Sequence, residues 1–145
     1  MEYGMPTLIE TDSLEETVSL CKELGLSFIE LNMNLPQYQI PELEDVNHYL
    51  RLQKQYGIFF TIHLDENLNI ADFNELVANA YRQTVRRTIR VGKILGVPIL
   101  NMHMNPGVHF TLPDRKVQLF EKYEDKYLTA ISEFMKMCEN GNWRQ

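Results

Sequence analysis

Glu30, His63 and His103 each stand near the end of an apolar segment: FIELN at 28–32, FFTIHLD at 59–65 and PILNMHM at 98–104. A carboxylate and two imidazoles are groups that move protons near neutral pH and hold divalent cations. Side chains of a β-strand alternate between two faces. Read as strands, the segments group Phe28, Glu30 and Asn32, then Phe59, Thr61, His63 and Asp65, then Ile99, Asn101 and His103. Each segment therefore carries polar or ionisable groups toward its carboxyl end at one parity. That is the end of a parallel sheet at which α/β proteins bind ligands. A lone strand-end histidine is more often a satisfied structural group than a ligand. Two at matching places in successive repeats, with a glutamate in a third, tip the reading toward a site.

Neutral imidazoles suit zinc or manganese, and a catalytic metal site takes three protein ligands and an open position. His63 and His103 are the expected ligands. Glu30 and Asp65 compete as the third, and neither has a deciding spacing. His109 follows the Pro106–Gly107 pair, where an exposed loop residue and a site residue are both open readings. His48, inside a helical stretch, reads as a surface residue, and Met102 and Met104 as packing. No residue is given a catalytic role.

The elements that position these groups follow from a repeated pattern. LGLSFIELN at 24–32, YGIFFTIHLD at 56–65 and LGVPILNMHMN at 95–105 each run from a large apolar residue through glycine into a short apolar run. The glycine suits the left-handed residue that closes a helix. The nearly continuous hydrophobicity after it reads as a strand covered on both faces. A further strand is expected within 3–9. Helical spacing joins Leu14, Val18, Cys21 and Leu24 behind an Asp12 or Ser13 cap, then covers 42–56, 72–95 and 114 to about 138. Strands alternating with helices predict an α/β fold of four parallel strands, each followed by a helix, joined by right-handed crossovers. Residues 1–145 read as one structural unit.

Composition narrows the partners. A net charge of −6 disfavours a nucleic-acid surface, and the basic residues Arg82, Arg86, Arg87, Arg90 and Lys93 read as a solvated helix face. No apolar run reaches the roughly 18 residues of a membrane helix, and the N-terminus lacks a signal peptide's basic start. Cys21 and Cys138 fit no metal or redox spacing. A cytoplasmic protein with no membrane partner is expected.

LGLSFIELN, TIHLDENLNI and LGVPILNMHMNPGVHF resemble the xylose isomerase-like TIM barrels, which include sugar phosphate isomerases and epimerases and endonuclease IV-type apurinic endonucleases. The resemblance covers most of the chain and is most specific at the histidine strand followed by Asn-x-His and Pro-Gly. It implies half of a (β/α)8 barrel. It also implies a sugar or sugar phosphate substrate, contacted by Glu30, Asn32, Asn101 and His109, and a divalent metal, zinc or manganese, in the full-length parent. In endonuclease IV-like members the positions matching His63 and His103 are metal ligands. A TIM barrel takes about 250 residues. The resemblance thus implies the amino-terminal half of an isomerase or epimerase, inactive alone, with weak or no metal binding because strands five to eight are missing. A homo-oligomer that covers the open strand edges is expected. The alternatives are a metal-dependent hydrolase of damaged DNA and a non-enzymatic half-barrel assembly module.

Overall fold

The computed structural model describes residues 1–140, which fall into two compact units. The first comprises Met1–Glu66 and Arg87–Met102, and the second Asn67–Arg86 and the chain from His103 onward.

The first unit holds one sheet. Its strands β1 (Gly4–Pro6), β2 (Phe28–Asn32), β3 (Phe59–His63) and β4 (Leu100–Asn101) lie in the order β1-β2-β3-β4, and every pair is parallel. This is the four-stranded parallel α/β sheet the repeats predict. Helix α1 (Leu14–Glu23) begins where Ser13 accepts a hydrogen bond from the Glu16 N–H at 3.2 Å. It buries Leu14, Thr17, Val18 and Cys21, one side of the helix. The second helical stretch is shorter than its periodicity suggests. Pro41 starts a single turn, α2 (Ile40–Leu43), the chain breaks at Glu44–Asp45, and α3 runs Val46–Tyr56. Gly57 closes α3 at φ 62°, and Gly25 and Gly96 take φ 68° and 65° before β2 and β4, as the repeat requires.

Burial alternates along β2. Ile29 and Leu31 are fully buried, whereas Phe28, Glu30 and Asn32 are half-buried. Phe60 and Ile62 of β3 join the buried side, and Tyr49 of α3 meets the Phe60 ring edge-on at 5.5 Å. The expectation that both faces are covered is therefore corrected: the helices cover one face, and the apolar residues of the other form a thin layer. In that layer the Phe28 and Phe59 rings stack at 5.0 Å. Gly4 lies beneath, where a Cβ would stand 2.4 Å from the Phe28 ring.

Ion pairs link elements of this unit. Arg87 grips Glu44 through both guanidinium arms, at 2.8 and 2.6 Å. His48 is half-buried rather than a free surface residue, its Nε2 2.7 Å from Glu15 Oε1. That hydrogen bond, above all, holds the Glu15 carboxyl below its usual value. A lowered folded-state pKa adds stability above the unfolded value, near 4.5, and loses it as pH falls through the folded value. Glu15 is half-exposed, so the contribution should stay below about 1 kcal/mol. Melting temperature followed from pH 6 down to about pH 3 should fall less steeply for Glu15→Gln than for the wild type. Parallel curves would show that the pair contributes nothing.

The second unit opens with residues 67–74 and the first part of α4 (Glu75–Leu95), with Leu68, Ile70, Ala71, Ala78 and Val85 buried. It then forms a hairpin that the sequence reading missed. Strands β5 (His109–Thr111) and β6 (Lys116–Gln118) pair antiparallel around Pro113–Asp114, so residues 114–118 are not helical as expected. The last helix is split into α5 (Leu119–Lys122) and α6 (Glu124–Asn140). Phe120 anchors this unit, stacked on Tyr127 at 4.6 Å and edge-on to Phe73 at 5.5 Å. Among the described residues no helix is long and apolar enough to cross a membrane.

Candidate functional site

The register of the parallel sheet decides which polar groups meet. Asn32 pairs with His63, and His63 pairs with Asn101. Partners in register share a face, so Asn32, His63 and Asn101 form one row across three strands at their carboxyl ends. One step down the same face lies the pair Glu30 and Thr61. The parity argument for Glu30, Asn32, His63 and Asn101 thus holds within the first unit.

Each of these groups has defined partners. Asn101 Nδ2 donates to Glu30 Oε2 at 2.5 Å, a charge-assisted bond from β4 to β2. His63 Nδ1 lies 2.8 Å from the Leu64 carbonyl oxygen. A carbonyl only accepts, so Nδ1 carries the proton, and in the neutral ring Nε2 carries the lone pair. Asn32 Oδ1 accepts from the backbone N–H and the side-chain amide of Asn34, both at 2.9 Å. Asn34 in turn accepts from the Glu66 N–H at 3.0 Å. Its amide joins the loops after β2 and β3, a role the sequence reading missed although the Asn-x-Asn spacing at 32–34 signals it. Thr7, almost fully buried, accepts from the Asn32 N–H at 3.0 Å and steadies the end of β2.

His103 and His109 lie in the second unit. The ladder of β4 ends at Asn101, so strand alternation no longer orients His103, and the expected strand through residue 104 is corrected. β3 itself stops at His63, leaving residues beyond Asn101 without a neighbouring strand to pair with. His103 is exposed. His109 opens β5 opposite Gln118 and is exposed, so it is a strand residue rather than part of a loop. The Asn-Pro-Gly segment has a structural purpose: Asn105 Oδ1 accepts the Gly107 N–H at 2.8 Å, and Gly107 takes φ 75° against Leu119 and Phe120.

Among the described residues no three His, Cys, Asp or Glu side chains come together as a metal-holding group. Of the two carboxylates expected to compete as a third ligand, Glu30 accepts from the Asn101 amide, and Asp65 lies beyond the end of β3 at His63.

No family model matches the sequence, and no curated protein matches it. Solved structures do. A D-tagatose 3-epimerase-like protein superposes with a TM-score of 0.71 at 19% identity, over 97% of this chain and 50% of its own. 3-Keto-D-glucoside 4-epimerase from E. coli, in its apo form, gives 0.76 at 17%, over 99% and 52%. D-psicose 3-epimerase in the presence of D-fructose gives 0.69 at 15%, over 97% and 50%. The chain spans about half the length of these structures. The likeness is one of fold: the four parallel strands in the order β1-β2-β3-β4 match half of a TIM barrel.

Proposed function

We propose that this chain is the amino-terminal half of a sugar or sugar phosphate epimerase or isomerase. The reading is carried by the Asn32–His63–Asn101 row, with Glu30 beside it, at the carboxyl ends of a sheet folded like sugar epimerases. Amide, carboxylate and imidazole groups are the partners that a ring of hydroxyls needs, and the Phe28–Phe59 layer offers an apolar floor. Asn32, Asn101, Glu30 and His109 are proposed substrate contacts. His63 and His103 remain the proposed ligand donors for the zinc or manganese of the complete enzyme, with weak binding at best in this chain, since two imidazoles alone leave the coordination incomplete. The acid–base groups that move the proton belong to the other half.

The purified 145-residue chain should therefore bind sugar without converting it. Titration calorimetry with D-tagatose, D-fructose, D-psicose and their phosphates should show binding that His63→Ala weakens about tenfold. Chromatography of the same mixtures should show no interconversion. Binding of none of these sugars overturns the functional reading, and turnover that vanishes in His63→Ala overturns the assignment of catalysis to the other half.

A second copy is the proposed partner. β1 and β4 end the sheet with one neighbour each, and an unpaired edge is a template for another strand. Two copies about a two-fold axis along the strands would set β1 of one beside β4 of the other, all strands still parallel. Light scattering at micromolar concentration should give twice the 17.1 kDa mass, and a folded monomer there would refute the pairing. Free Cys21 and Cys138 and the acidic charge support a cytoplasmic location without a nucleic-acid partner.

A further inference from the structure

The Glu30–Asn101 hydrogen bond joins β2 to β4, yet β3 lies between those strands. Neighbouring strands are about 4.8 Å apart, so the two side chains must reach toward each other over the face of β3. The register shows what lies beneath. Glu30 is level with Thr61 and Asn101 with His63, so the bond passes obliquely above β3 between Thr61 and His63. Thr61 is 3% exposed, and its Oγ1 is buried with no hydrogen-bond partner. An unpaired buried hydroxyl is disfavoured, and proteins keep few without a reason. Nothing in the strand demands threonine here: valine has the same β-branched shape and suits a strand equally well.

We infer that Glu30, Thr61 and Asn101 form a latched subsite for a vicinal diol, with the Glu30–Asn101 bond as the latch and Thr61 as the hidden third contact. The inference rests on the sugar-binding reading above and deepens it. A carboxylate oxygen accepts from a ligand hydroxyl, and an amide donates to one. A diol can thus replace each side chain as the other's partner and open the bridge. The Thr61 hydroxyl then gains the partner it lacks. Ligands with a single hydroxyl replace only one end and leave the latch closed. Free protein and complex thus differ in which polar groups are satisfied, and Thr61 favours the complex.

The test is Thr61→Val in the full chain, with D-fructose, D-tagatose and D-psicose as probes and Asn101→Leu as the second variant. Thr61→Val should melt about 2–4 °C higher than the wild type without sugar, because an unpaired hydroxyl has been removed. It should bind the sugars about tenfold more weakly. Asn101→Leu should also bind more weakly, and in that background Thr61→Val should still raise the melting point. A lower melting point for Thr61→Val shows that the fold uses the hydroxyl and overturns the inference. A higher melting point with unchanged sugar affinity overturns it and leaves the sugar-binding reading standing. If no sugar binds to the wild type, that reading falls and the inference with it.

Discussion

Truncating Phe60 to alanine should cost about 3–5 kcal/mol, a large share of the roughly 5–15 kcal/mol that keeps a domain folded. Phe60 is fully buried on the helix-covered side of β3 and holds Tyr49 edge-on at 5.5 Å. Its removal leaves a cavity among Ile29, Leu31 and Ile62, neighbours that are themselves fully buried and held in register. Such a site closes poorly, which places the cost toward the upper end. In a urea titration the midpoint should fall steeply with an unchanged slope. The neighbouring residue is the control. Phe59 has the same side chain but points to the half-buried face, where it stacks on Phe28. Phe59→Ala should cost about half as much or less. Equal losses from Phe59 and Phe60 would mean that the parity assigned to β3, and with it the face given to His63, is wrong.

Parity was readable in advance because a strand's period of two survives any tertiary arrangement: one residue fixes the side of every other. FIELN and FFTIH obey it, and so the placement of Glu30, Asn32 and His63 followed from spacing alone. The glycines were readable for a similar local reason, since the residue after a helix end needs a positive φ wherever the helix goes. Strand parity does not reach His103, because parity holds only while a strand has a partner. The length of a strand is set by its neighbour, and β3 stops at His63, which leaves β4 paired only through Asn101. The β5–β6 hairpin was missed through turn chemistry. Pro113–Asp114 opens a helix in one setting and turns a hairpin in another, and the apolar spacing from Leu119 onward favoured the helix. Here the Leu112 N–H bonds the Arg115 carbonyl across that turn at 2.7 Å. The Glu30–Asn101 bond and the unpaired Thr61 hydroxyl lay beyond sequence reasoning altogether. They depend on strands far apart in the chain being set side by side in one register.

Gly4→Ala should destabilise the chain by about 1–3 kcal/mol even though it adds one methyl group near an exposed chain end. The added Cβ would lie 2.4 Å from the Phe28 ring, inside the distance at which atoms overlap. The ring has little freedom to retreat, because Phe59 stacks on its neighbouring side at 5.0 Å. Gly4 pairs with Phe28, and Phe28 with Phe59, so the three form a layer one step below Pro6, Glu30 and Thr61. Shifting the ring therefore disturbs the floor under the latched subsite, and sugar affinity should fall with stability. The cause can be isolated by a double-mutant cycle. If the clash is with the ring, Gly4→Ala should cost almost nothing once Phe28→Ala has removed it, a coupling about as large as the single-mutant loss. Additive losses would place the requirement for glycine in the β1 backbone instead, and the aromatic layer would no longer explain why the first strand begins with a residue that has no side chain.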